Sequence, residues 1–198
     1  MDSREPVAGP PPRLVLASRS PQRRAILETL GVPFELRPVD AHEENEGVPV
    51  AVASENALRK AVAAKAAADE VVLGVDTLVS IGLDIWGKPP DEESARDTLR
   101  RLEGRTHEVV SGVALVGEDG SVRAATAVTQ VTFRPLDDAT IEWYLASGEW
   151  EGRAGGYAIQ GRGGALVERI DGDYLNVVGL PVVTLLGLWP DLLSVNAT

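Results

Sequence analysis

Hydrophobic positions along this chain follow two rhythms that alternate irregularly. Leu14-Val15-Leu16-Ala17 is a short continuous apolar run, as in a buried strand. Ser20-Pro21 then supplies a helix N-cap with Pro at the first helical position, and Gly31 supplies the stop. Between them Ile26, Leu27 and Leu30 fall on one helical face. Residues 34–39 read as extended, and 40–47 (DAHEENEG) as an acidic loop. An Ala-rich helical stretch follows over about 50–68, carrying Glu55, Lys60 and Lys65. Val71-Val72-Leu73 opens a strand expected to end at Gly74-Val75-Asp76-Thr77, with Leu78–Ile81 continuing it after that point. Asp91 caps a helix with Ala95, Leu99 and Leu102 inward and Gly104 as its stop. Two long β runs, about 106–117 and 121–134, flank the hairpin signal Glu118-Asp119-Gly120. A helix opened by Asp137, a strand near 164–170 and a closing helix at 182–189 complete the pattern. Helices interrupt strands without a fixed order and no repeat is present, which predicts an α/β fold with a mixed sheet.

Composition narrows the field. The 198 residues suffice for one domain or two tightly packed lobes. Asp plus Glu outnumber Lys plus Arg by 30 to 19, a net charge of −11 that argues against a nucleic-acid partner. The absence of Cys removes disulfides, thiolate catalysis and Cys-ligated zinc, and two histidines, His42 and His107, leave little for a His-based metal site. No apolar run reaches the ~18–20 residues of a membrane span, so no membrane partner is expected. Residues 1–12 are Pro-rich, lack a signal-peptide pattern and are expected to form a disordered leader to a single domain over 13–198. A soluble cytoplasmic protein is the expectation.

Several short stretches could carry chemistry. In Ser18-Arg19-Ser20-Pro21-Gln22-Arg23-Arg24 a strand turns into a helix whose first turn carries free N–H groups and guanidiniums, a site for phosphate or simply a capped helix with solvated basic residues. Asp76, at an expected strand end, could hold a divalent cation or orient water, or could bond its own turn. Lys60 and Lys88 could neutralise phosphate or lie on solvated faces. Six glycines over 152–164 would let backbone approach a ligand closely, with Gln160 offering a donor and an acceptor to a base edge. Glu43, beside Glu44 and Glu46, could join Asp76 around a metal. No Walker loop is present.

Taken in order, LASRSPQRRAILETLGVPFE (16–35), ENALRKAVAAKA (55–66), VLGVDTLV (72–79), GKPPDEESARDTLRRLEGRTHEVVSGVAL (87–115) and AGGYAIQGRGGALVERIDGDYLNVVGLP (154–181) resemble the Maf (septum-formation) family of nucleoside triphosphate pyrophosphatases. That resemblance implies an elongated mixed β-sheet with two lobes around a deep cleft, similar to the inosine triphosphate pyrophosphatases. It implies hydrolysis of a nucleoside triphosphate to monophosphate and pyrophosphate with a divalent cation, Mg2+ or Mn2+, and homodimers as a family habit. By position, Asp76 matches the catalytic carboxylate and, with Glu43, the metal ligands. Arg23, Lys60 and Lys88 match phosphate-contacting residues, joined by Ser18 and the helix N-terminus at Ser20.

Thr77 after the Asp, together with Gln160, resembles the branch acting on dTTP and UTP. The branch acting on 7-methyl-GTP tends to carry Gln after the Asp, Glu in place of the loop Gln, and Trp after the Ser-Pro; this chain has none of the three. Gln22 departs from the pyrimidine branch, which usually has Arg directly after Pro. Gly156 and Ala158 exchange the small residues of the family's A-G-A-Y-G-I-Q-G. The alternatives are a nucleotide-binding regulatory module of cell division without turnover, and the same reaction on 7-methyl-GTP or other modified nucleotides.

Overall fold

The structure, a computed structural model, describes residues 11–196. Residues 1–10 of the expected leader therefore lie outside the described residues. In chain order the elements are β1 (Arg13–Leu16), α1 (Pro21–Thr29), β2 (Phe34–Leu36), α2 (Pro49–Ala64), β3 (Glu70–Ile81) and β4 (Asp84–Trp86). They continue with α3 (Glu92–Leu102), β5 (Thr106–Gly117), β6 (Val122–Phe133), α4 (Asp138–Leu145), β7 (Val167–Asp171), α5 (Tyr174–Val178) and α6 (Val182–Leu188). Short 3-10 turns lie at Ala154–Gly156, Arg162–Leu166 and Pro190–Asn196.

One mixed sheet runs β2-β1-β3-β5-β6-β7, with β4 added to β3. β1 pairs parallel with β2 and β3, and every other pairing is antiparallel. β3, β5 and β6 have twelve residues each, roughly 40 Å at about 3.3 Å per residue. Strands this long reach past one core into a second. On one sheet face, Val75 joins Leu16, Leu27, Leu73 and Leu185 at one end. Val79 joins Leu99, Leu102, Phe133 and Tyr144 at the other. Thr77 lies between these two valines on the same face, at the boundary of the two lobes.

The opposite face is covered by α2. Its inward stripe, Ala53, Ala57, Ala61 and Ala64, is small and buried. The sheet is equally bare beneath it: a Cβ on Gly74 would lie 2.1 Å from the Ala57 carbonyl oxygen, and one on Gly112 2.1 Å from that of Ala53. Alanine against glycine thus lets the helix backbone rest almost directly on β3 and β5.

Several boundaries differ from the sequence expectations. α2 stops at Ala64 rather than near 68, because Lys65 and Asp69 take left-handed φ values of 52° and 59°. The extended segment after Pro33 is paired only over 34–36. α5, five residues capped by Asp173 onto the Leu175 amide, has too few turns to show a periodicity. Most consequentially, β3 is one unbroken strand through Ile81, as the continuation over Leu78–Ile81 implied, so Asp76 stands in mid-strand and not at a strand end.

Glu70 fastens the start of β3 to its neighbours. It accepts from Arg13 on β1 and from both terminal nitrogens of Arg37, which follows β2, as well as from the Ala67 amide. The Arg37 hydrogen bonds lead in holding its carboxyl down to about 2 from the usual 4.5.

Two outcomes follow for stability. Gly112→Ala should lower the denaturant midpoint by about 1–3 kcal/mol of stability, since the new methyl meets helix backbone and not a movable side chain; an unchanged midpoint would contradict this packing. The ionised Glu70 binds its partners only when folded, so its contribution is complete above 4.5 and is lost as pH falls toward 2. The stability gap between wild type and Glu70→Gln should therefore close over that window, and a gap independent of pH would count against the assignment.

Candidate functional site at the free edge of β3

β3 has β5 along its whole length on one side, but its other side is shared. β1 pairs with it as far as Leu73, and β4 begins only at Val79. Between them the edge of β3 carries no partner strand, and here Asp76 and Thr77 stand. After Leu16 the chain leaves the sheet, with the Ala17 amide still donating to the Leu73 carbonyl at 2.9 Å, and turns into α1. A cleft of about 1070 Å3 opens at this place, bounded by both lobes, the acidic loop and the glycine-rich loop.

Strand alternation sends neighbouring side chains to opposite faces. Asp76, like Gly74, turns toward α2. Its Oδ1 accepts from Lys60 Nζ at 2.6 Å and its Oδ2 from Asn56 Nδ2 at 3.0 Å. Asn56 and Lys60 lie four residues apart, so the helix stacks them on one side. The same Lys60 ammonium reaches Glu43 Oε1 at 2.6 Å. One buried ammonium therefore joins two carboxylates from separate parts of the chain. Asn56 also exchanges two 2.8 Å hydrogen bonds with the backbone of Glu44, pinning the acidic loop to α2. The Glu44 carboxylate turns to Arg59, whose hydrogen bond lowers its pKa, so Glu43 is the residue of that loop that meets Asp76's partner.

On the other face, Thr77 Oγ1 accepts from Arg23 at 3.1 Å and shares a 2.9 Å hydrogen bond with Ser111 Oγ. Arg23 is buried and donates further to Ser18 Oγ at 3.0 Å and to the Gly179 carbonyl at 2.9 Å. Burial lowers its pKa, while Asp76 and Glu43 pull it back up. A guanidinium stays charged under these conditions, so Arg23 is a fixed cation beneath the turn from β1 to α1. Gln22 lies in the first turn of α1 and accepts from the Ser20 hydroxyl at 3.1 Å.

Lys88 and Gln160 come from the second lobe and are exposed at the cleft. The loop carrying Gln160 is held from behind. Gly155, at φ +67°, donates its N–H to the Gly87 carbonyl at 3.0 Å and sits against Val79 where no Cβ would fit. Tyr144 Oη accepts from the Ala158 amide at 3.0 Å, and Tyr157 Oη shares a 2.9 Å hydrogen bond with buried His107 Nε2. Burial alone drives His107 down to about 4, so its ring is neutral near neutral pH.

All nine candidate residues (Ser18, Gln22, Arg23, Glu43, Lys60, Asp76, Thr77, Lys88 and Gln160) line this one cleft. Their surroundings differ from the sequence picture: Asp76 stands at an open strand edge in mid-strand, not at a strand end, and Arg23 and Lys60 are buried rather than solvated. Asn56, Ser111 and the Gly179 carbonyl were missed. Asn56 had a usable signal, since a buried Asn one turn before Lys60 on an Ala-rich face needs partners. Nothing local marked the other two, which are brought in from β5 and from the end of α5.

The loop attachment is open to direct test. Asn56→Leu removes two hydrogen bonds to Glu44 and one to Asp76, so backbone hydrogen exchange across residues 40–47 should quicken by about tenfold or more. Unchanged protection in that loop would show that Asn56 does not hold it.

The family described as Maf-like protein matches residues 13–191. A protein of Pyrococcus furiosus named dTTP/UTP pyrophosphatase is 42% identical over 180 residues, covering 89% of this chain and 93% of its own. One of Sphingopyxis alaskensis with the same name is 47% identical over 174 residues, covering 86% and 92%. Among solved structures, the Ham1 protein of Staphylococcus aureus superposes on 61% of this chain and 71% of its own at a TM-score of 0.45 and 17% identity. The family match spans nearly all the described residues and the sequence relatives match over most of both lengths, so the chain belongs to the Maf family.

Proposed function

We propose that this chain hydrolyses dTTP and UTP to the nucleoside monophosphate and pyrophosphate, the activity for which its relatives are named. The observation that carries the reading is the convergence of Asp76 and Glu43 on Lys60 Nζ, 2.6 Å from each, inside a cleft with further cations on its walls. Attack by water on a phosphorus atom needs a proton acceptor, positioning of the phosphates and neutralisation of their charge.

Asp76 is suited to the first task. Its oxygens each accept one hydrogen bond from Lys60 and Asn56, which leaves lone pairs free for a water proton. Arg23, Ser18 and the first turn of α1 offer donors to phosphate oxygens at one end of the cleft. Lys88 faces the same space from the second lobe. Thr77, Gln22 and Gln160 are assigned to nucleotide choice. Thr77 acts through its hydrogen bond with Arg23, and Gln160 by offering its amide to a base edge from a loop held rigid by Tyr144 and Tyr157.

A hard divalent cation fits these residues. Asp76 and Glu43 supply carboxylate oxygens that already share one cationic partner, and no cluster of three or more acidic, His or Cys residues stands ready among the described residues. Two carboxylates, with substrate phosphates and water completing the shell, is the usual way Mg2+ is held. Bound there, Mg2+ or Mn2+ would offset phosphate charge and make the bound water more acidic. Lys60 would then turn its ammonium toward phosphate as the carboxylates engage the ion.

A panel of nucleoside triphosphates assayed for pyrophosphate with Mg2+ or Mn2+ should show release from dTTP and UTP. Asp76→Asn should fold normally and lose about two to four orders of magnitude in kcat. Absence of hydrolysis by the wild type would overturn the reading, and calorimetric nucleotide binding without product would replace it with a regulatory module.

A further inference from the structure

The known cations of the cleft are largely occupied. Lys60 is shared by Asp76 and Glu43, and Arg23 is held by Ser18, Thr77 and Gly179. These cations stand at the first-lobe end of the cleft, beside β3 and α1. A triphosphate brings several negative charges, and a phosphate tail that reaches across the cleft needs donors on the second lobe as well.

Three arginines line the cleft: Arg19, Arg23 and Arg153. Arg19 stands 4.0 Å from Asp40. Arg153 differs from both. Its Nε is buried with no hydrogen-bond partner, and its guanidinium has no carboxylate within ion-pair distance among the described residues. A buried N–H of a charged group is costly to leave unpaired, and Arg153 Nε is the one arginine nitrogen left so among the described residues. Arg153 is also held in place. Its amide donates to the Trp150 carbonyl, its carbonyl accepts from the Gly156 amide, and the Gly155 amide is bonded to Gly87, the residue before Lys88. One backbone hydrogen bond therefore brings together the two segments that carry Arg153 and Lys88, a second cation with no acidic partner among the described residues.

We propose that Arg153, with Lys88, forms the second-lobe half of the polyphosphate site, its guanidinium donating to non-bridging oxygens of the phosphate tail. This assignment rests on the pyrophosphatase reading above. It gives the glycine-rich loop two tasks: Gln160 faces the base, and Arg153 at the other end of the same loop faces the phosphates. The rigid tie through Gly155 and Gly87 then keeps base and phosphate recognition in register.

Inorganic tripolyphosphate separates the phosphate contribution from that of the base, because it carries no nucleoside. For Arg153→Gln, KM for dTTP and the inhibition constant for tripolyphosphate should rise together by about tenfold or more, the loss expected for one charge-assisted contact. kcat should stay within a few-fold, and Arg153→Lys should recover part of both losses. If Arg153→Gln folds poorly, Arg153→Lys alone carries the test, with a smaller parallel rise in both constants. Unchanged constants, or a KM that rises while tripolyphosphate inhibition does not, would overturn the proposal. A wild type inactive on every nucleotide would instead overturn the underlying function, so the two failures are distinguishable.

Discussion

The site depends on a single buried ammonium. Lys60 Nζ touches Asp76 from the sheet and Glu43 from the loop, each at 2.6 Å, and so locks a strand, a helix and an acidic segment into one geometry. Buried ion pairs contribute little net stability once desolvation is included, so the arrangement is better understood as positional than as stabilising. Two like charges drawn to one point would repel without the cation between them. In the function proposed above, the same two carboxylates would hold the divalent ion.

Much of the fold serves that contact. Lys60 can reach a β3 side chain only because α2 lies unusually close to the sheet, and α2 lies close because alanines meet Gly74 and Gly112. Asp76, though buried, lines the cleft where β1 has stopped opposite Leu73 and β4 has not yet started opposite Val79. The two hydrophobic cores flank the gap, with Val75 in one and Val79 in the other. Substrate lying across this gap would touch both lobes and both sides of one strand edge.

The elements with strong local signals were legible in the sequence. Ser20, Asp91 and Asp137 cap helices as their spacing implied, and the Glu118-Asp119-Gly120 turn joins two long strands. What was not legible depended on contacts distant in the chain. The apolar run over Leu78–Ile81 signalled that the strand continues past Asp76, but not that its edge is open there, because the gap in pairing belongs to β1 and β4. Candidate residues could be picked by charge and resemblance, but not their partners. Arg23 looked like a free basic residue of a first helical turn and is instead buried and bonded to Gly179, 156 positions away. Lys60 could be read as a phosphate contact or as part of a solvated face, and it faces inward beside Asn56 on the buried side of α2, bonded to Asp76.

The function proposed above, release of pyrophosphate in one step, requires water to attack the phosphorus nearest the nucleoside, with Asp76 beside it. The most direct test is hydrolysis of dTTP in water enriched in heavy oxygen, with mass spectrometry of both products. The account predicts the heavy oxygen in the nucleoside monophosphate and unlabelled pyrophosphate. Label in the pyrophosphate, or release of single orthophosphate instead, would place the attack elsewhere on the chain of phosphates and contradict it.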